Sequence, residues 1–390
     1  MILHIDDTLA QQHALAQILI LDSNRYSANV CCGTFQHIDK ILGGEMARLR
    51  HILRADQFDR FFLDRMEALT NRIRMVRKST KGAIWLKSLF PDRAGMLYFK
   101  QASTRTRVSF QRALQMLGVD IIKILDATTS SEIKGESDWD SIRTQSSYVD
   151  VIVMRVNDKG FAARMAEHLD GTPRPVPVIN GGSGPDEHPT QALLDDYTLR
   201  RSFKEYGGID GMTIALVGDL KRGRTVRSLA QLMQHYKDVK LLLVSPPEFA
   251  METDIIEFLE DKAIAYQITD EFDLAVEEAD AVYLTRIQKE HDAGGESGGV
   301  DVSRFCFTER HLKILKPQGI VMHPLPRVEE LDYRCDADPR VKIWRQERNG
   351  MFVRTALLYR IMSEQKLEKK WKGELPKHMQ DPLWVLPEME

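Results

Sequence analysis

This chain of 390 residues has few cysteines, no long hydrophobic run and no large excess of charge of one sign. Four cysteines occur without a C-x-x-C spacing, which argues against a disulfide framework and against a zinc site. The balance of 54 Lys and Arg against 57 Asp and Glu excludes a whole-chain basic surface for nucleic acid. The longest early apolar run, residues 14–21, is interrupted by Gln17 and falls short of the roughly 18 residues that span a membrane. With Asp6, Asp7 and no basic stretch, the N-terminus is not typical of a leader peptide, so we expect a cytoplasmic protein.

The chain does contain a regular alternation of short β-rich runs and helical patterns. The predicted strands are 96–99, 121–125, 151–155, 176–179, 213–217, 239–244, 265–268, 281–285 and 320–323. The helix-period stretches between them are typical of βαβ units and parallel sheets. The strands divide into four and five around a polar, glycine-containing stretch at 200–211. We therefore predict an α/β fold of two doubly wound parallel-sheet domains, with the active site in the cleft between them.

The two ends of the chain do not follow this alternation. Residues 45–53 have a helical apolar rhythm, residues 58–73 continue as a helix, and residues 344–362 also have a helical pattern. We predict an N-terminal extension (1–55), a first domain (56–204), a second domain (205–345), a C-terminal helix packing back on the first domain (346–365) and a tail (366–390).

The densest polar cluster is Ser103-Thr104-Arg105-Thr106-Arg107, which lies between a predicted strand and a predicted helix. Such a turn exposes free backbone N–H groups at the positive end of the helix dipole, which favours an anion. Three hydroxyls and two guanidiniums add further donors to the same place. A helix cap with two exposed arginines is the alternative, but a cap needs one hydroxyl. The cluster therefore predicts an anion site.

A second turn, His188-Pro189-Thr190-Gln191, repeats this placement after the strand at 176–179. The helix N-terminus behind His188 lowers the pKa of the imidazole and favours a neutral hydrogen-bond donor. Such a group can polarise a carbonyl without carrying a full charge. A capping or core role is the alternative for a lone histidine.

Three polar turns follow strands of the predicted second domain. The stretch 218–225 (GDLKRGRT) departs from the phosphate-binding G-x-x-x-x-G-K-[ST] loop by Arg224 in place of Lys, so a nucleotidase is an alternative. A bidentate arginine suits a carboxylate as well as a phosphate. The other turns are 286–290 and 323–327, and a polar loop at 130–136 is by itself typical of a solvated surface.

Together these motifs resemble the aspartate and ornithine carbamoyltransferases. The resemblance covers about residues 56–362, in order, through STRTR (103–107), VIVMR (151–155), HPTQ (188–191), GDLKRGRTVRSL (218–229), RIQKE (286–290), HPLPR (323–327) and NGMFVRTALL (349–358). It implies carbamoyl transfer from carbamoyl phosphate to an amino acid, which with L-aspartate belongs to pyrimidine biosynthesis. It also implies no cofactor, no metal, and a homotrimer whose active sites are shared between subunits.

The resemblance further implies the roles of individual residues. Those for carbamoyl phosphate are the phosphate ligands Ser103, Thr104, Arg105 and Thr106, the carbonyl-polarising Thr106, Arg155 and His188, and the NH2-binding Gln191 with the backbone carbonyls of Pro324 and Leu325. Those for L-aspartate are Arg224, Thr225, Arg286 and Gln288. Ser130 and Lys134 match a loop contributed by a neighbouring subunit, with Lys134 reaching both the reaction and the aspartate.

Elementary electrostatics agrees with these roles. Carbamoyl phosphate and aspartate with its amine deprotonated are both dianions, so bringing them together costs Coulomb energy. The predicted cations, Arg105, Arg155, Arg224, Arg286 and Lys134, offset that repulsion. The leaving phosphate can accept the proton of the attacking amine, so neither a protein nucleophile nor a metal is needed.

Two other functions stay open from the residues alone. The family members that use ornithine have the motif H-C-L-P at the position that corresponds to 323–326, and they carry an S-M-G loop. This chain has Pro324 in place of the cysteine and no S-M-G. A non-catalytic subunit that only binds ligand is the second alternative, although this chain has every charged residue that the family pattern requires at the site. The N-terminal extension and the tail depart from the family pattern, and the sequence ties no purpose to them. Contact with a regulatory subunit is one alternative for the extension, and an inert surface segment is another.

Overall fold

The computed structural model describes residues 49–125, 135–183, 187–287 and 303–364, which belong to one compact unit. Within the described residues, nine strands form two sheets, of four and five strands. Every strand pair in both sheets is parallel. This arrangement confirms the predicted fold class of two parallel-sheet α/β domains.

The first sheet is built from β1 (Ala94–Phe99), β2 (Asp120–Ile124), β3 (Val151–Arg155) and β4 (Val178–Asn180), in the order β2-β1-β3-β4. The second is built from β5 (Thr213–Val217), β6 (Lys240–Val244), β7 (Ala265–Thr269), β8 (Ala281–Leu284) and β9 (Ile320–Met322), in the order β7-β6-β5-β8-β9. Both orders reverse direction once, between β1 and β3 and between β5 and β8. Ligands of such sheets bind beyond the carboxyl ends of the strands at these reversals.

Helices connect the strands. They are α1 (Arg60–Val76), α2 (Thr80–Lys87), α3 (Thr104–Met116), α4 (Asp138–Ser146), α5 (Phe161–Asp170), α6 (Pro189–Ser202), α7 (Arg224–Leu232), α8 (Thr253–Asp261), α9 (Phe272–Glu278), α10 (Glu309–Ile314) and α11 (Ile343–Glu364). Among the residues that the structure describes, no helix has both the length and the apolar character needed to cross a bilayer.

The C-terminal helix α11 packs against α1, α3 and α6. Its apolar residues Phe352, Leu357 and Leu358 are buried. Polar contacts join the same helices, because Asn349 accepts a hydrogen bond from Arg74 Nη1 (2.8 Å) and donates one to Thr198 Oγ1 (2.9 Å). The last helix of the described residues is therefore part of the core around the first sheet.

The predicted helix at 45–53 is wrong for the residues that the structure describes. Ile52 lies beside β4 in a parallel bridge with Ile179. Its N–H donates to the carbonyl of Val178 (2.9 Å), and its carbonyl accepts from the N–H of Asn180 (2.7 Å). The open edge of β4 offers these backbone partners, and pairing with it satisfies the polar groups that a short isolated helix leaves exposed at its ends. The remainder of that range lies outside the described residues.

Candidate active site

Arginines gather at the two points where the strand order reverses. Arg155 is the last residue of β3, and Arg105 lies in the first turn of α3, directly after β1. Arg224 begins α7 after β5, and Arg286 follows β8. Burial, and then the positive charges of Arg224 and Arg105, lower the pKa of Arg155 to about 9. The pKa of Arg105 is likewise lowered, by burial and by the charge of Arg286. Electrostatic interactions thus link four predicted site residues of both domains, Arg155 with Arg105 and Arg224, and Arg105 with Arg286.

The N-terminus of α3 is positively charged and lacks a side-chain cap. Ser103 is the N-cap residue, yet its side chain makes no capping hydrogen bond, and the first turn contains no acidic residue. Arg105 and Arg107 lie where the helix dipole favours negative charge, which is unfavourable unless an anion is present. Ser103 and Thr104 add two hydroxyl groups to this turn, and Thr106 is buried.

His188 and Thr106 meet behind this turn. The Thr106 hydroxyl lies 3.4 Å from Nε2 of His188, and both residues are buried. Burial and the charges of Arg155, Arg224 and Arg354 hold the pKa of His188 well below its usual 6.5, so the imidazole is neutral at pH 7. The backbone N–H of His188 donates to Ser228 Oγ of α7 (3.4 Å), which joins the two domains at this point.

Gly182 is a further candidate site residue, which the motif analysis missed. Its φ is +92°, a backbone conformation that favours glycine. A Cβ at this position would lie 2.6 Å from Cδ2 of His188 and 2.8 Å from Nη1 of Arg155. The neighbouring Gly181 carbonyl accepts a hydrogen bond from the same Arg155 Nη1 (3.1 Å). The glycine pair directly after β4 was the available signal, but its importance depends on contacts that only the fold reveals.

The loop after β9 presents Pro324 and Leu325. The Leu325 N–H donates to Nδ1 of His323 (2.8 Å), and Nε2 of His323 bonds Glu330 (2.7 Å). Because Nδ1 accepts, Nε2 is the ring nitrogen that carries the proton. Leu325 has a φ of +56°, and its bond to Pro326 is cis. The backbone of this loop is therefore held by the side chain of His323, which is itself bonded to Glu330.

Gln191 lies in the first turn of α6, and its Nε2 donates to both carboxylate oxygens of Asp195 (3.1 and 3.3 Å). Thr225 follows Arg224 at the start of α7 and hydrogen-bonds the buried Tyr283 hydroxyl. The structure thus brings together predicted residues from six turns. The predicted Ser130, Lys134 and Gln288 lie outside the described residues.

A carboxylate near Arg105 is a second feature that the motifs did not indicate. Glu347 of α11 is largely buried, and burial raises its pKa while Arg354 and Arg105 oppose the rise. Arg354 is itself buried and donates from Nη1 to Ser109 Oγ of α3 (2.9 Å). The C-terminal helix therefore supplies one negative and one positive charge beside the arginine cluster.

Comparison with known proteins places this geometry in a family. The carbamoyl-P binding domain of the aspartate/ornithine carbamoyltransferases matches residues 50–201, and their Asp/Orn binding domain matches residues 210–361. Aspartate carbamoyltransferase 1, chloroplastic, of Pisum sativum is 39% identical over 318 residues, covering 81% of this chain and 79% of that protein. The aspartate carbamoyltransferase catalytic subunit of Chromobacterium violaceum is 38% identical over 315 residues, covering 81% of this chain and 98% of that protein.

Solved structures agree with the sequence comparison. The catalytic subunit of M. jannaschii aspartate transcarbamoylase superposes with a TM-score of 0.72 at 36% identity, covering 81% of this chain and 99% of that one. Aspartate transcarbamoylase from Trypanosoma cruzi, in complex with carbamoyl phosphate and aspartate, superposes with a TM-score of 0.71 at 34% identity, covering 80% and 96%. On this evidence the chain belongs to the aspartate/ornithine carbamoyltransferase family.

Proposed function

We propose that this chain transfers the carbamoyl group of carbamoyl phosphate to the amine of L-aspartate, which gives N-carbamoyl-L-aspartate and phosphate. The observation that carries this proposal is the set of arginines at the two strand reversals, in which Arg155 interacts with Arg105 and Arg224, and Arg105 with Arg286. A neutral His188 lies beside Arg155 and Arg224. Two anionic substrates need such a concentration of fixed positive charge. The relatives named above are aspartate carbamoyltransferases.

The phosphate of carbamoyl phosphate would lie at the N-terminus of α3. Backbone N–H groups there point along the helix dipole, and Ser103, Thr104, Arg105 and Thr106 add side-chain donors. The free capping position of Ser103 and the missing acidic residue in the first turn support this role.

The carbamoyl carbonyl would lie among Thr106, Arg155 and His188. As the amine adds, negative charge develops on the carbonyl oxygen, and donors already in place stabilise it without reorganising. The low pKa of His188 matters here, because a neutral imidazole donates a hydrogen bond without adding a fifth positive charge to the cluster.

The reaction itself needs little covalent help from the protein. The uncharged amine of aspartate attacks the carbamoyl carbon and forms a C–N bond, the bond from that carbon to the phosphate oxygen breaks, and the phosphate takes the proton that the amine loses. Orientation of the two substrates supplies the rest of the rate enhancement.

The aspartate carboxylates would bind Arg224, Thr225 and Arg286, together with Gln288. Ser130 and Lys134 would come from a neighbouring subunit, which makes a homotrimer with shared active sites part of the proposal. Ornithine is disfavoured by the same cluster, because its second amine is cationic and would lie among arginines. The role in pyrimidine biosynthesis follows from the aspartate product. The cytoplasmic location stays a prediction, since the Pisum sativum relative is named chloroplastic.

The test is carbamoyl transfer by the purified chain, with carbamoyl phosphate and either L-aspartate or L-ornithine, scored by the ureido product. We expect product with aspartate alone. Product with ornithine alone would overturn the aspartate assignment, and no product with either amine would favour a subunit that only binds ligand.

A further inference from the structure

A buried carboxylate connects two parts of the proposed carbamoyl site, namely Gln191 and the loop that contains Pro324 and Leu325. Asp195 lies on α6, one turn after Gln191, and has no solvent exposure. It accepts hydrogen bonds from Nε2 of Gln191 (3.1 and 3.3 Å), from Nε2 of Gln346 (2.7 Å) and from the Tyr283 hydroxyl (2.7 Å). These donors come from α6, α11 and β8, and the mechanism described above does not use Asp195.

The first contact fixes which way the Gln191 amide faces. Both carboxylate oxygens of Asp195 accept from Nε2 of Gln191 and also from Gln346 or Tyr283, so the Gln191 amide turns its NH2 group toward Asp195. Its Oε1 is then the atom left for a ligand. An acceptor is what the NH2 of a carbamoyl group requires, whereas a flipped amide would present one NH2 group to another.

The second contact links Asp195, through Gln346, to the loop that contains Pro324 and Leu325. Because its Nε2 donates to Asp195, its Oε1 is oriented to accept, and it accepts from the backbone N–H of His323 (2.9 Å). His323 in turn accepts from the N–H of Leu325 through Nδ1 (2.8 Å). The orientation of the Pro324 and Leu325 carbonyls is therefore connected to the same carboxylate.

We propose that Asp195 is a positioning residue that sets the acceptors for the carbamoyl NH2, namely Oε1 of Gln191 and the carbonyls of Pro324 and Leu325. Through them it makes the site select a carbamoyl group over an acetyl group, in which a methyl replaces the NH2. This inference rests on the proposed function, because it assumes that the NH2 lies between these acceptors. A site built to hydrogen-bond a polar group rejects an analogue that lacks it, since its own buried groups are then left unpaired.

The adjacent residue provides a matched control. Asp196 is also buried, and it accepts from the Tyr236 hydroxyl and pairs with Arg200 Nε (2.9 Å). Burial raises the pKa of Asp195 to about 7 and that of Asp196 to about 6, so both positions carry a desolvated carboxyl group. The contacts of Asp196 lie away from Gln191 and Gln346. Asp196→Asn therefore imposes a comparable disturbance on α6 without reaching the carbamoyl site.

The experiment measures the Kd of carbamoyl phosphate and of acetyl phosphate by calorimetry, for the full chain and for Asp195→Asn and Asp196→Asn. An Asn side chain has a single oxygen, so it cannot accept from all three donors, and its own NH2 faces one of them. We expect Asp195→Asn to lose about tenfold or more of the preference for carbamoyl phosphate, while acetyl phosphate binds as before. Asp196→Asn should keep the preference.

The outcomes separate this inference from the proposed function. An Asp195→Asn chain that keeps the full preference would overturn the positioning role. An unsubstituted chain that does not distinguish the two phosphates would overturn the carbamoyl site itself. If Asp195→Asn fails to fold by circular dichroism, Gln346→Met takes its place, because it removes the link between Asp195 and His323 and leaves the contacts of Asp195 with Gln191 and Tyr283. That variant should lose part of the preference, and full retention would again overturn the inference.

Discussion

Replacing Gly182 by alanine tests the geometry of the proposed site without removing any of its functional groups. The new methyl would lie 2.6 Å from Cδ2 of His188, so the contact must open by about 0.8 Å to reach an ordinary distance of 3.4 Å. The same methyl would press on Arg155 at 2.8 Å. A misplacement of about 1 Å in catalytic groups costs on the order of 100-fold in rate, so we expect kcat/KM for carbamoyl transfer to fall by about that factor.

The φ of +92° at Gly182 adds a separate cost to stability. An L-residue in this region of backbone space loses roughly 1–2 kcal/mol. Gly207 is a matched control, because its φ is +94° and a Cβ there meets nothing within 4 Å. Gly207→Ala should therefore lose a similar amount of unfolding free energy and keep its activity.

The assays are steady-state kinetics and urea unfolding of the two variants side by side. The difference in kcat/KM between them isolates the contact with His188 and Arg155 from the strain in the backbone. If Gly182→Ala keeps kcat/KM within about threefold of Gly207→Ala, His188 and Arg155 do not act from the positions described here.

Three further predictions concern the ionisable groups of the proposed site. Arg105→Ala should reduce kcat/KM by roughly 100- to 1,000-fold, with an unchanged unfolding midpoint, because it removes a charged donor to the transferred phosphate; near-normal kinetics would refute the phosphate role. Mixing Arg105→Ala and Lys134→Ala chains should restore part of the activity if neighbouring subunits share sites, and hybrids that stay inactive after verified subunit exchange would refute sharing. Because burial holds the pKa of His188 well below 6.5, the unfolded chain binds a proton there that the folded chain does not, and stability is lost as the pH falls below 6.5. His188→Gln should remove this contribution to the pH dependence of the unfolding free energy, which is up to about 1.4 kcal/mol per pH unit below 6. Stability curves of the variant and the unsubstituted chain that run parallel from pH 5 to 7.5 would contradict this prediction.

Most of the fold could be predicted from the sequence because strands buried on both faces are short, apolar and bounded by polar turns. The predicted bounds of β3 and β5 agree with the structure residue for residue. The segment around Ile52 could not be predicted this way, since its apolar spacing is compatible with a helix and only the open edge of β4 makes it extended.

The candidate site can be predicted from the sequence where its chemistry is concentrated in one turn, as at Ser103–Arg107. It was missed where the significance of a residue depends on a distant one. Asp195 and Asp196 sit on a helix, where acidic residues are ordinarily exposed, and nothing local indicates that Gln346 and Tyr283 surround one of them. Gly182 is similar, because its neighbours His188 and Arg155 are brought to it by β3 and α6.

The position of α11 has a consequence for how the chain is made. A ribosome releases the N-terminal half first, and domains generally fold as units during synthesis. Here the core around the first sheet needs α11, whose Asn349 bridges Arg74 and Thr198 and whose Arg354 reaches Ser109. The second sheet is contained between residues 213 and 322, so it can be completed before α11 emerges. The domain of the first sheet, although it is synthesised before that of the second sheet, is therefore completed after it.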